Sequence, residues 1–137
     1  MRKKFTYAIL LAIAACIAGC NNEDDITDIF MNRTWTLAFF NEGTTITPVK
    51  NEYKIRFYDS SFSATTPNGA LIAGNWEADG KSRTFRCTSI STNGNISSDT
   101  TAQKMKMFLQ KANEYAGDIT YLQIKQQKNV YMQFYNR

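Results

Sequence analysis

Large apolar side chains occupy every second position in two segments of the chain, at 34–40 and 52–58. Successive side chains of a β-strand point to opposite faces, so this alternation predicts strands with one buried face. The side chains predicted to share that face are Trp35, Leu37 and Phe39 in the first segment, and Tyr53, Ile55 and Phe57 in the second.

Further strands are predicted between clusters of turn residues. Pro67-Asn68-Gly69 and Ala78-Asp79-Gly80 favour tight turns, and Gly74 predicts a bend or bulge within a strand. Phe85 and Cys87 are expected to face the same way from their strand. The additional strand segments are 61–66, 70–77, 82–89, 119–126 and 130–136.

One segment has the periodicity of a helix. Its apolar residues follow a spacing of three and four, which predicts an amphipathic helix from Thr100 to Ala116. Ser98 or Asp99 can cap its start, Gly117 ends it, and residues 91–98 form a polar loop. The residues of its buried stripe are Met105, Phe108, Leu109, Ala112 and Tyr115.

About seven short strands and one helix predict a mainly β (α+β) domain. The expected architecture is an antiparallel β-barrel or rolled sheet with the amphipathic helix packed on it. Roughly 110 residues are enough to bury one core without disulfides, so a single domain is expected.

The first 19 residues have the layout of an export signal. Arg2, Lys3 and Lys4 precede an apolar run from Phe5 to Ala18. This run is shorter than the roughly 20 apolar residues that a membrane-spanning helix needs. The sequence therefore predicts a signal peptide that is removed.

The end of this run, Ile17-Ala18-Gly19-Cys20, resembles the lipobox of bacterial lipoproteins. In that class of proteins the cysteine thiol receives a diacylglycerol, and the peptidase cuts before the cysteine. The resemblance implies lipidation of Cys20 and a membrane anchor through that lipid. It also implies a place in the bacterial cell envelope, at the outer membrane on its periplasmic or surface face. Cys16 falls inside the discarded segment.

The predicted organisation is a signal peptide at 1–19, a lipidated cysteine with an acidic tether at 20–30, and one domain at 31–137. The tether begins Asn21-Asn22-Glu23-Asp24-Asp25, which offers nothing to bury. Residues 26–31 are expected to make a short helical turn that leads into the domain.

Charge and cysteine content exclude several classes of function. Removing the three basic residues of the signal leaves thirteen basic against twelve acidic residues, so nothing indicates a nucleic-acid partner. Cys87 is the one cysteine that remains beside Cys20, so no disulfide can form within the domain. We expect a monomeric domain in which Cys87 is a small buried strand residue.

The motifs of common enzymes are missing from the sequence. The chain has no histidine, the commonest general base and metal ligand near neutral pH. Glu77 and Asp79 project to one side of a strand end, but Asp79 precedes a glycine in a turn and is expected to serve the turn. The sequence therefore predicts a protein that is not an enzyme and that uses no cofactor and no metal.

The best candidate for a binding surface is aromatic. Tyr131, Gln133 and Tyr135 share one face of the last strand, and Tyr121 and Gln123 share one face of the strand before it. Tyrosine beside amides suits a carbohydrate or protein partner, because rings stack while amides donate and accept hydrogen bonds. The alternative is ordinary cross-strand pairing on an outer face. In either case the tyrosines lie on the outer face, so the residues of the last strand that face the core are Val130, Met132 and Phe134.

The order of the elements resembles the META domain of bacterial envelope lipoproteins and is similar to the lipocalin-like lipoproteins of gut anaerobes. The resemblance covers roughly 31–137 and is carried by Thr34-Trp35-Thr36-Leu37, by Gly74-Asn75-Trp76, and by Asp79-Gly80 followed by Thr84-Phe85. It implies a non-enzymatic binding or envelope-structural domain.

The alternative that the resemblance leaves open is a lipocalin-like carrier of a small apolar ligand in the barrel interior. A carrier needs an apolar cavity of several hundred cubic ångströms. An interaction module of this size should instead fill its interior with side chains, namely Trp35, Leu37, Phe57, Phe85 and Phe108.

Overall fold

The structure is a computed structural model that describes residues 26–137. The predicted signal, Cys20 and the acidic segment up to residue 25 lie outside the described residues. A helical turn at 26–30 opens the described part, as predicted. The elements that follow are β1 (Thr34–Glu42), β2 (Thr45–Pro48), β3 (Lys54–Phe57), β4 (Ser61–Thr65), β5 (Leu71–Asp79), β6 (Thr84–Asn93), α1 (Thr100–Lys111), β7 (Glu114–Gly117), β8 (Tyr121–Gln127) and β9 (Val130–Asn136).

The strands form one antiparallel sheet that closes on itself. From β3 to β9 each strand pairs with the next along the chain. β1 closes the sheet because it pairs with β3 along one edge and with β9 along the other. β2 pairs with β1 only and lies outside the closed sheet. The predicted mainly β fold, with a closed sheet and a packed helix, is confirmed.

Aromatic side chains fill the interior of the closed sheet. The ring of Phe30 lies at their centre, with its centroid 4.9 to 5.5 Å from the centroids of Phe57, Trp76, Phe85 and Tyr115. The five side chains predicted to fill the interior, from Trp35 to Phe108, are each at most 2% exposed, so that prediction is confirmed.

The packed domain begins before residue 31. Ile29 and Phe30 are both buried, and the indole Nε1 of Trp35 donates a hydrogen bond of 2.9 Å to the carbonyl of Ile29. Met31 then pairs with Phe57 through an isolated bridge. The turn at 26–30 therefore belongs to the core. No helix within 26–137 is long and apolar enough to cross a membrane.

A bulge in β1 changes the predicted buried face. The register against β9 shifts between Leu37 and Phe39, so Phe40 points into the core and is 1% exposed. Phe39 lies half-buried on the outer face instead. The prediction that Phe39 shares a face with Trp35 and Leu37 is therefore wrong, because an extra residue inverts the alternation beyond it.

The helix is shorter than predicted. It ends at Lys111, Ala112 adopts an extended conformation, and Glu114–Gly117 forms β7, although the sequence predicted helix as far as Ala116. Tyr115 is buried, but it belongs to β7. Its backbone N–H donates to the carbonyl of Arg83 in β7's partner hairpin. Tyr115 therefore fits the three-and-four spacing of the helix by chance, and its pairing with neighbouring strands decides its conformation.

β2 and the end of β6 also differ from the prediction. β2 was not predicted, since all four of its residues are exposed and leave no alternation to detect. β6 continues to Asn93, so the first three of the eight residues of the expected polar loop are strand. Gly74 does lie at a bulge, as predicted: a Cβ there would be 2.8 Å from the carbonyl oxygen of Thr88.

Candidate functional site

The β8–β9 hairpin brings the predicted tyrosines and glutamines together on its outer face. Tyr121 lies directly opposite Tyr135, and Gln123 lies directly opposite Gln133. Tyr131 lies one further step along the same face, opposite Lys125. We call Tyr121, Gln123, Tyr131, Gln133 and Tyr135 the Tyr–Gln face.

The two sides of β9 divide as predicted. Met132 and Phe134 are fully buried and face the interior, whereas Tyr135 is 37% exposed on the Tyr–Gln face. Gln133 is only 5% exposed, although it points outward, because its strand is flanked by β1 and β8. The centre of the face is therefore shielded, and its exposed part is the tyrosine end.

Hydrogen bonds hold the side chains of the face in place. The amide Nε2 of Gln123 donates to Oε1 of Gln133 at 2.9 Å. The amide Nδ2 of Asn41 donates to the hydroxyl of Tyr131 at 3.1 Å. These bonds fix the orientation of the Tyr131 ring and of the two glutamine amides.

Two residues that the sequence analysis missed extend the face onto β1. The ring of Phe39 meets that of Tyr131 edge to face, with centroids 6.4 Å apart, and Asn41 binds the Tyr131 hydroxyl. Ile46 of β2, opposite Asn41, is 58% exposed. Phe39 lies on this face because of the bulge in β1, and the alternation in the sequence does not indicate that bulge.

A cleft of about 560 Å³ lies elsewhere, between β6 and the C-terminal end of α1. Five consecutive residues of β6, 84–88, line one side, and residues 110, 112 and 113 line the other. Glu77 and Asp79, the acid pair noted in the sequence, both lie at this cleft. Its volume is in the range of small-ligand sites, and its walls mix charged, amide and apolar side chains.

Cys87 lies at the floor of this cleft and is 7% exposed. Burial raises the pKa of its thiol to about 12, so the thiol is protonated and a poor nucleophile near neutral pH. The prediction of a small buried strand residue is confirmed. Within 26–137, no group of three or more cysteine, histidine or acidic side chains is arranged to hold a metal ion.

A buried tyrosine fixes the start of α1 to the sheet. The hydroxyl of Tyr53 donates to the two carboxylate oxygens of Asp99 at 2.7 and 2.8 Å, and Asp99 caps the helix by accepting from the N–H of Ala102. Burial, together with the hydrogen bond to Asp99, raises the pKa of Tyr53 to about 12. The predicted cap at Asp99 is confirmed, and it positions the helix whose other end forms the cleft.

Comparison with known proteins identifies the family. A family model described as a domain of unknown function, DUF4847, matches residues 21–136. The crystal structure of a DUF4847 family protein from Bacteroides vulgatus ATCC 8482 is similar in fold, with a TM-score of 0.64 and 23% identity. The similarity covers 82% of this chain and 97% of that chain.

None of the curated proteins matches the chain significantly. The comparisons lend no support to the META or lipocalin-like resemblance, and the similar crystal structure shares the fold alone. Because the family model spans nearly all of the sequence beyond the predicted signal, the chain belongs to the DUF4847 family.

Proposed function

We propose that this protein is a lipid-anchored lipoprotein of the bacterial cell envelope whose domain binds a partner without catalysing a reaction. The lipid anchor is proposed because a cationic N-terminal segment is followed by an apolar segment that ends in the lipobox-like Ile17-Ala18-Gly19-Cys20. Acyl chains on Cys20 would hold the chain at a membrane, with the outer membrane as the proposed location.

The Tyr–Gln face is the proposed surface for a protein or carbohydrate partner. It offers the exposed ring of Tyr135 and, beside it, the half-buried ring of Tyr121. Lys125 adds a cation 5.9 Å from the ring centre of Tyr131. Tyrosine rings, their hydroxyls and a cation on a paired sheet provide stacking and hydrogen bonds together, which suits recognition of a polar partner.

The packing of the interior favours this proposal over the lipocalin-like carrier. The space where an apolar ligand would lie is taken by Phe30 and the aromatic side chains around it. A ligand would have to displace buried rings at a cost of several kcal/mol each. The absence of histidine from the sequence supports a domain without an enzymatic role.

Metabolic labelling with an alkyne fatty acid tests the anchor. The full-length chain should incorporate the label and sediment with membranes after a high-salt wash, because its anchor is covalent. The Cys20→Ala variant should do neither, whereas Cys16→Ala should behave as the wild type. If Cys20→Ala still sediments with membranes, the anchor lies elsewhere and the proposal fails.

Site-specific photo-crosslinking tests the surface. A benzophenone side chain at position 135, on the Tyr–Gln face, should give crosslinked products in intact cells that a matched probe at position 65 does not give. Thr65 is exposed on β4, which is separated from β9 by β1 and β3 and from β6 by β5. Equal patterns at the two positions, or products only at position 65, would contradict this surface.

A further inference from the structure

The edge of β6 is open where it faces the cleft. Thr84 is the one residue of β6 that pairs with β7, and the N–H of Phe85 donates to the carbonyl of Asn113. Beyond that point, no strand of the described chain flanks β6 on this side. Main-chain groups of a strand repeat their direction every second residue, so the N–H and C=O of Cys87 point the same way as those of Phe85, into the cleft.

The main-chain N–H and C=O of Cys87 point away from β5, the strand with which β6 pairs along its other edge. Among residues 26–137, nothing outside the sheet ladders donates to its carbonyl or accepts from its N–H. An N–H and a C=O at a strand edge without a neighbouring strand can bind a ligand that supplies an acceptor and a donor.

The shape of the cleft follows the strand edge. Its lining includes all five residues 84–88, whose side chains alternate between the two faces of the sheet. The cleft therefore reaches the main chain of β6 at its open edge, and it extends across β6 to residues 77–79 of β5. Four residue steps of a strand measure roughly 13 Å, and β7 occupies the first part, which leaves room for two or three extended residues.

Charged side chains of β5 and β6 line the cleft without being paired to each other. Glu77 and Arg86 lie directly opposite on β5 and β6 and both line the cleft. Within the described part of the chain, they form no ion pair, and neither makes a side-chain hydrogen bond. A carboxylate and a guanidinium are thus available to an ammonium and a carboxylate group of a ligand.

We propose that this cleft binds a short extended peptide with free termini, which continues the line of β7 and adds to the edge of β6. One peptide residue exchanges two main-chain hydrogen bonds with Cys87, as neighbouring strands do. Glu77 and Arg86 hold the charged termini, and the amides of Gln110 and Asn113 form the opposite wall. This site lies apart from the Tyr–Gln face and goes beyond the proposed function.

A carbohydrate fits the cleft less well. Its hydroxyls do not reproduce the alternation of N–H and C=O along a strand. Sugar recognition also favours an exposed aromatic ring for stacking, and Phe85, the one aromatic residue of the lining, is 1% exposed.

Nuclear magnetic resonance tests the proposal on ¹⁵N-labelled protein made from the full-length chain and purified in detergent. Trialanine should shift the Cys87 amide resonance saturably. Trialanine with its central amide N-methylated should bind about tenfold more weakly, since it loses a main-chain donor. Maltotriose should leave the resonance unchanged.

Two tryptophan variants locate the binding. Gln110→Trp should fill the cleft and abolish the trialanine shift, whereas Gln127→Trp, at the β8–β9 turn, should leave it intact. Both positions are exposed, so the rest of the spectrum should report an unchanged fold. An unmoved Cys87 amide, equal binding of the N-methylated peptide, binding of maltotriose, or full binding by Gln110→Trp would each overturn the proposal. None of these results depends on the lipid anchor or on the Tyr–Gln face.

Discussion

Replacing Phe30 with alanine is expected to lower the free energy of unfolding by about 3 to 5 kcal/mol, a large fraction of the stability of a domain this size. Phe30 is fully buried and contacts four aromatic rings in the middle of the closed sheet. Its removal leaves a cavity that the surrounding strands cannot close, because their backbones are fixed by pairing on both sides.

Urea denaturation followed by tryptophan fluorescence measures this effect, since the Phe30 ring lies 4.9 Å from that of Trp76. Ile119→Ala is the matched control: Ile119 is 52% exposed, so its loss should cost no more than about 0.5 kcal/mol. A cost below about 1 kcal/mol for Phe30→Ala would contradict the packing of residues 26–30 into the core.

Replacing Phe134 with alanine should cost a similar 3 to 5 kcal/mol, roughly the value for buried phenylalanines. Tyr135→Ala, one residue further along β9, should cost about 1 kcal/mol or less, because its side chain is 37% exposed on the outer face. The pair compares the two faces of a single strand at almost the same position.

Urea midpoints of the two variants, compared at equal m-values, test this split. Tyr131→Ala should cost more than Tyr135→Ala, since it also removes the acceptor for Asn41, but less than Phe134→Ala. Equal costs for Tyr135→Ala and Phe134→Ala would mean that the tyrosines support the core, and the Tyr–Gln face would then not be a recognition surface.

The sequence alone predicts those parts of the fold in which a local period matches the final contacts. Tyr53, Ile55 and Phe57 alternate without interruption, and all three are buried. The two faces of β9 and the cap at Asp99 were predicted for the same reason. In each case the prediction rests on residues only two to four positions apart in the sequence.

The predictions fail where a contact distant in sequence overrides the local period. Phe39 fits the alternation of β1, but pairing with β9 introduces a bulge that turns Phe40 inward instead. Tyr115 fits the helical stripe, but pairing with β6 and β8 draws residues 114–117 into a strand. In both cases one partner strand lies far away in the sequence: β9 for Phe39, and β6 for Tyr115.

The two candidate sites differ in the same way. The Tyr–Gln face follows from alternation within one hairpin, because its five residues lie on neighbouring strands joined by a short turn. The cleft does not: it exists because the helix ends at Lys111 and β7 pairs with β6 at Thr84 alone, which leaves Cys87 beside an open edge. Local pattern therefore determined which side chains share a face, whereas the closure of the sheet decided where a strand edge stays unpaired, since that depends on how all its strands fit together.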